Sequence, residues 1–143
     1  MKLVTLFKKS IKMPPAYVPG KCNIGARGRA IRLATGVGII SVFLGFDVLA
    51  LGSVSPVFRL FLFIPFYVGL LAALEGTMSF CVLHASRGTY DLREPTGMGF
   101  GTSGTKIEVA SEEWKRLDRR KARQMHLEAV LGALVLAGLF ALA

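Results

Sequence analysis

Acidic residues are scarce in this chain of 143 residues, and none of them precedes the first apolar stretch. Nine Asp and Glu stand against eighteen Lys and Arg, which gives a formal net charge of +9. A nucleic-acid-binding module would spread such a charge over one face of a soluble fold. Here the basic residues gather at the borders of apolar segments, so the sequence predicts no nucleic-acid partner and favours a membrane surface.

Cysteine is also scarce, since Cys22 and Cys81 are the only two in the chain. Cys81 and His84 have the spacing of metal ligands, but together with Cys22 they give three candidates and no obvious fourth. The pattern G-x-G-x-x-G at 99–104 lacks the preceding strand and the βαβ unit of a dinucleotide site. No catalytic constellation is left, so the sequence predicts neither an enzyme nor a cofactor or metal.

Three long apolar stretches dominate what the chain does contain: Ala30 to Leu51, Val57 to Leu83 and Leu127 to Ala143. A helix needs roughly 17 to 25 apolar residues to cross the ~30 Å hydrocarbon layer of a bilayer. Hydrophobic residues make up 52% of the chain. We therefore expect an all-α integral membrane protein, with a two-helix transmembrane hairpin followed by a third, C-terminal transmembrane helix of about 25 Å.

The basic residues predict the orientation of these helices. They gather around the start of the first stretch (Lys2, Lys8, Lys9, Lys12, Lys21, Arg27, Arg29, Arg32) and before the third (Arg116, Arg119, Arg120, Lys121, Arg123), whereas 52–56 carry no charge. The positive-inside rule then places the N-terminus in the cytoplasm and the C-terminus in the periplasm. The same cations favour an anionic inner leaflet as partner.

The chain divides into four segments. Residues 1–21 are basic and predict either a short interfacial helix or an unordered tail. Residues 22–88 hold the hairpin, and 89–110 read as a cytoplasmic Gly-rich loop. From Ser111, a good N-cap, 111–143 predict a basic helix that runs into the third transmembrane helix.

The hairpin carries a pattern of polar and small residues at both ends: Asn23, Gly25, Arg29, Arg32, Gly36, Gly76, Phe80, Cys81 and Leu83. This pattern resembles the YgaP-like transmembrane domain family over about 22–88. The resemblance implies a hairpin of the bacterial inner membrane that tends to self-associate. Gly28, Glu75, Val82 and His84 depart from the family pattern. Some family members anchor a rhodanese, but no segment here is long enough to form that domain.

Hairpin geometry places Arg32 at the depth of Glu75, so Arg32 is the predicted partner of that intramembrane carboxylate. A structural clasp is the favoured reading; a proton- or ion-handling role, a protonated carboxyl and a contact with another subunit are the alternatives. Asn23 and Gly25 are expected to cap and tighten the start of the first helix. Pro65 is expected to kink the second helix.

Both cysteines are predicted at the cytoplasmic face, where Cys22 and Cys81 are either ordinary reduced thiols or a candidate redox pair. Cys81 to Arg87 also spells C-x-x-x-x-x-R, the spacing of loops that cradle a thiolate with backbone amides. We expect no such cradle, because Cys81 would end a membrane helix, whose negative dipole end disfavours a thiolate.

The third stretch repeats alanine every four residues, at Ala129, Ala133, Ala137 and Ala141. Small residues on one face let another helix approach closely, so this stripe predicts helix packing. The leading hypothesis is an accessory or structural membrane protein that packs with copies of itself or with other membrane subunits. The alternatives are a thiol-based sulfur or redox relay through Cys22 and Cys81, and transport of a small ion or molecule by an oligomer.

Overall fold

A computed structural model describes residues 16–49, 55–92 and 106–142. The described chain is mainly helical and holds one short antiparallel sheet. Its elements, in chain order, are α1 (Ala26–Leu49), α2 (Pro56–Arg59), a 3₁₀ turn (Leu60–Leu62), α3 (Phe63–Met78), α4 (Val82–Arg87), β1 (Thr89–Tyr90), β2 (Ile107–Glu108) and α5 (Glu112–Leu142). The predicted interfacial helix and most of the predicted Gly-rich loop lie outside the described residues.

Three helical segments are long and apolar enough to cross a membrane: Ala26–Leu49, Leu60–Met78 and Glu112–Leu142. The prediction of a helical protein with three such segments is confirmed. The second segment changes from α to 3₁₀ geometry at Leu60–Leu62, just before Pro65. Proline lacks an N–H and its ring crowds the carbonyl four residues earlier, which accounts for the interruption at this point.

The helix α3 lies between α1 and α5 and contacts both of them extensively. The antiparallel pair α1 and α3 approaches closely because glycines face the partner backbone. A Cβ added at Gly69 would lie 2.8 Å from a side-chain carbon of Ile40, and one at Gly36 would overlap the backbone of Ala73. Such small residues let two helices pack at short distance, which makes α1 and α3 a tight hairpin.

The long helix α5 packs antiparallel to α3 through a row of buried alanines. Ala133 and Ala137 contact Leu62 and Phe66 near the start of α3. At the other end of α3, Met125 packs in a second cluster with Phe80 and Ala85. With 31 residues α5 is about 46 Å long. Its first ten residues therefore extend beyond the end of α3.

The short elements after α3 pack on this protruding part of α5. The strands β1 and β2 pair Thr89 with Glu108 and Tyr90 with Ile107. Asp91 also bridges to Ile24, which precedes α1. The two ends of the segment predicted as a Gly-rich loop are thus ordered, since their backbone groups pair with each other and with the start of the hairpin.

Candidate functional site

Polar contacts are concentrated at the two ends of the hairpin, which we call the base and the tip. The base is the end where α1 begins and α3 ends, and it includes Asn23, Arg32, Glu75 and Cys81. The tip is the opposite end, where α1 ends and α2 begins, and it includes Asp47 and Arg59. Most of the residues singled out from the sequence lie at the base.

Asn23 joins the start of α1 to the turn that follows α3. Its side-chain Nδ2 donates to the Cys81 carbonyl at 3.0 Å, and the Cys81 N–H donates to Asn23 Oδ1 at 2.6 Å. Its backbone N–H donates to Ser79 O at 3.1 Å, and its carbonyl accepts from the Asp91 N–H at 3.0 Å. Asn23 is fully buried. Every polar group of this residue therefore has a partner, as a buried amide requires.

The predicted ion pair between Arg32 and Glu75 is present. Arg32 Nε donates to Glu75 Oε2 at 2.8 Å, and the second carboxylate oxygen, Oε1, accepts from the Val82 N–H at 2.7 Å. The guanidinium also donates to Gly28 O at 3.2 Å and to Cys81 Sγ at 3.2 Å. Both oxygens of Glu75 are occupied, so the geometry is that of a satisfied structural clasp.

Glycines allow the backbones to meet at the base. A Cβ at Gly25 would lie 2.6 Å from the carbonyl oxygen of Leu92, and one at Gly76 would lie 2.7 Å from the Cβ of Leu33. Arg29 Nε donates to the Gly76 carbonyl at 3.4 Å. Arg29 is otherwise exposed. The other residues of the sequence motif thus lie close together at the base, whereas Gly36 lies farther along the hairpin, between α1 and α3.

The position of Cys81 differs from the one expected. Ser79 adopts a left-handed conformation (φ 59°) and ends α3, so Cys81 precedes α4 instead of ending a membrane helix. Cys81 therefore does not lie at the negative end of a membrane helix, and that expectation was wrong. Burial raises the pKa of the Cys81 thiol, and the nearby Glu75 adds to this effect, against the lowering by Arg32 and by backbone hydrogen bonds. Cys81 is 2% exposed.

The candidate redox pair is not bonded, because both cysteines are free. Cys22 is partly exposed and its Sγ lies 3.7 Å from the Ile24 carbonyl. A thiol relay needs an accessible thiolate. Cys81 does not meet this requirement, because its side chain is buried and the pKa of its thiol is raised. Within the described ranges, no cluster of three or more His, Cys, Asp or Glu could hold a metal.

A second contact near the base was missed from the sequence. Asp118 of α5 is fully buried and accepts from Tyr17 Oη at 2.9 Å and from the Gly20 N–H at 2.6 Å. The ring of Tyr17 stacks on Tyr90 with centroids 4.4 Å apart and lies 6.0 Å from Trp114. Burial and the hydrogen bond to Asp118 raise the pKa of Tyr17. These contacts fasten the chain before α1 to α5.

The tip holds a pair of charges that the sequence analysis also missed. Asp47 and Arg59 are 4% and 7% exposed, and Arg59 Nε lies 3.9 Å from Asp47 Oδ1. Arg59 Nη1 donates to the Phe140 carbonyl at 3.1 Å near the end of α5. The other oxygen, Asp47 Oδ2, is buried without a hydrogen-bond partner among the described residues. The sequence did contain a signal for this pair, since Asp47 stands late in the first apolar stretch and Arg59 stands early in the second.

The alanine stripe of α5 faces its own chain. Ala129, Ala133 and Ala137 are buried, whereas Ala141 is only partly covered. Close packing at these alanines therefore occurs with α3 within one molecule. A further bridge between α3 and α5 joins Tyr67 Oη to His126 Nδ1 at 2.7 Å.

No protein-family model, curated protein or solved structure matches the chain. The functional interpretation therefore depends on the contacts described above.

Proposed function

We propose that this chain is a multi-pass protein of the bacterial inner membrane, with a YgaP-like hairpin, that serves as a structural or accessory subunit. It packs through its helices with copies of itself or with other membrane subunits. Three apolar helices of spanning length support the membrane setting. The basic residues near the base support a cytoplasmic N-terminus and a periplasmic C-terminus.

The observation that carries the packing role is an open face on α1. Ala34, Gly38, Ser41 and Gly45 recur at intervals of four, three and four residues, and all are exposed. A Cβ added at Gly38 or Gly45 would meet nothing within 4 Å. Gly36, on the opposite side of α1, is closed against α3. Small residues on a helix face in lipid allow close approach of a further helix.

This assignment moves the packing surface from α5 to α1. The alanine stripe on α5 is occupied by α3, so it has no room for a helix from another molecule. The face of α1 with its open glycines has no partner helix in the described chain. The leading hypothesis is thus retained with a different surface.

The test is assembly of the full chain extracted in mild detergent. Wild type is expected to migrate as an oligomer or with other membrane subunits, and a Gly38→Leu, Gly45→Leu double variant is expected to lose that association. Gly138→Leu is the matched control, because a Cβ at Gly138 would also meet nothing within 4 Å but this residue lies on α5. A wild-type chain that always migrates alone, or a double variant that still associates, would contradict the proposal.

Orientation is tested by labelling with a membrane-impermeant maleimide in spheroplasts. Cys22 is expected to react only after the membrane is permeabilised. In a Cys22→Ser, Cys81→Ser, Leu142→Cys variant, the new thiol is expected to react in intact spheroplasts. The opposite pattern would reverse the proposed orientation.

The geometry gives less support to the alternatives. Both oxygens of Glu75 are engaged by Arg32 and Val82, which favours a clasp over an ion-handling group. Cys81 is buried, and burial raises the pKa of its thiol, which disfavours a relay. A Cys22→Ser, Cys81→Ser variant is therefore expected to assemble normally and to leave physiology unchanged.

A further inference from the structure

Along one exposed face of α5, cationic side chains are followed by aliphatic side chains. Arg116, Arg120 and Arg123 are spaced four and three residues apart and are all exposed. They lie opposite the buried side of the helix, which holds Asp118, Ala122 and Met125. Seven residues of helix span about 10 Å. The three guanidinium groups thus form a short ladder on the outside of the protruding part of α5.

The same face continues into leucines. Leu127, Leu131 and Leu134 follow at intervals of four, four and three residues, and they are 59%, 54% and 54% exposed. Only four residues, about 6 Å, separate Arg123 from Leu127. A surface with cations at one level and aliphatic side chains immediately beside them matches a phospholipid, whose headgroup and acyl chains are arranged in the same order.

Among the described residues, no acidic side chain forms a direct ion pair with these three arginines. Glu112 forms ion pairs with Lys115 at 2.9 Å and with Arg119 at 3.9 Å. Glu128 accepts from Gln124 at 2.8 Å. Within the described ranges, no carboxylate lies within 4 Å of a guanidinium nitrogen of the ladder. The ladder arginines therefore have no direct ion pair, although the charge of Glu112 also acts on Arg116 from a longer distance.

We propose that Arg116, Arg120 and Arg123 bind the phosphates of anionic phospholipids, with the acyl chains lying along Leu127, Leu131 and Leu134. Arginine suits this role because its planar fork of N–H donors matches phosphate oxygens. The inference rests on the proposed membrane function and goes beyond it by naming the ligand and its residues. Basic residues that only fix topology would need no common face.

The experiment measures lipid selectivity of the full chain in phosphatidylcholine vesicles that contain spin-labelled phosphatidylglycerol or spin-labelled phosphatidylcholine. Electron paramagnetic resonance gives the fraction of each label held at the protein surface. The wild-type chain is expected to prefer the anionic label by about threefold or more, and the preference should fall with added salt. An Arg116→Gln, Arg120→Gln, Arg123→Gln variant is expected to lose most of this preference.

The matched control removes the same charge elsewhere: Lys21→Gln, Arg87→Gln, Lys106→Gln. These three residues are exposed but lie off α5. The control is expected to keep the wild-type preference. Equal loss in both triple variants would overturn the proposal by showing a general charge effect, and so would an unchanged α5 variant. If the ladder instead served an acidic protein or RNA, the wild-type chain would show no lipid preference.

Resistance to alkaline extraction separates this proposal from the one on which it rests. A wild-type chain that is extracted from the vesicles would refute the membrane function and, with it, the lipid site. A wild-type chain that resists extraction but shows no preference would refute the lipid site alone.

Discussion

The base and the tip of the hairpin each hold a carboxylate and a guanidinium, but only the base satisfies its carboxylate fully. Glu75 uses both oxygens, one with Arg32 and one with a backbone N–H, at 2.8 and 2.7 Å. Asp47 approaches Arg59 only to 3.9 Å, and its second oxygen has no partner in the described chain. The two ends therefore have the same charges and different hydrogen bonding.

This difference teaches that sequence position alone does not tell how a charge pair contributes to stability. A buried pair stabilises a fold only when hydrogen bonds compensate the loss of hydration, and an unpaired acceptor keeps part of that cost. We infer that the base stabilises the hairpin and that the carboxylate at the tip does not. Arg59 still links the tip to α5 through the Phe140 carbonyl.

The largest expected difference comes from neutralising each carboxylate in turn. Glu75→Gln is expected to lower the free energy of unfolding by about 2 to 3 kcal/mol, because it weakens charge-assisted hydrogen bonds and leaves Arg32 without its counter-ion. Asp47→Asn is expected to lower it by only about 1 kcal/mol, because the ion pair that it removes from Arg59 is long at 3.9 Å and Oδ2 has no hydrogen bond to lose. Arg59 also keeps its hydrogen bond to the Phe140 carbonyl. Reversible unfolding in mixed micelles checks both values. Equal losses at the two ends would remove the distinction between them.

A smaller effect is expected from adding one methyl group at each end. Gly76→Ala at the base would place a Cβ against Leu33 and is expected to cost about 2 kcal/mol. Gly138→Ala, near the tip end of α5, meets nothing within 4 Å and is expected to stabilise the helix by up to about 1 kcal/mol. The same unfolding measurement applies, and a harmless Gly76→Ala would show that the base is loosely packed.

The smallest effect is a pH dependence that belongs to the base. Burial, and then the charge of Arg32, lower the pKa of His84 below its usual 6.5. The unfolded chain therefore binds a proton at a pH where the folded chain does not, so stability is lost as the pH falls below about 6.5. His84→Gln is expected to flatten the stability curve between pH 7.5 and 5.5. A slope that persists in this variant would assign it to another group.

Much of the base could be predicted from the sequence. Apolar runs predict the helices, and a hairpin brings residues near its two ends close together in space. Because Glu75 lies in an apolar environment, it is expected to pair with a cation. These constraints led to Arg32, whereas Asn23 and the glycines were indicated by the family pattern. The expected role of Asn23 as a cap of α1 was wrong, because its side chain bonds to the backbone of Cys81. The same reasoning applied to Asp47 and Arg59 would have indicated the pair at the tip, but not its poor geometry, which depends on the packing around it.

Other contacts could not be predicted because they join distant parts of the chain without a local pattern. Asp118 stands within a basic run and gives no sign that Tyr17 and Gly20 will bind it. The alanine repeat predicts a packing face on α5, yet periodicity does not say which helix will cover it. Likewise, the end of α3 depended on the left-handed conformation of Ser79, which a serine seldom adopts.

The hydrogen bonds to Asp118 also constrain the order in which parts of this protein fold during synthesis. Tyr17 and Gly20 precede their acceptor by 101 and 98 positions. At roughly 5 to 20 residues per second, a ribosome needs about 5 to 20 s to synthesise that interval. Throughout this time the segment before α1 cannot bind Asp118, because Asp118 has not yet been synthesised. Its docking is therefore a late event of biogenesis, which can follow only after α5 has left the ribosome.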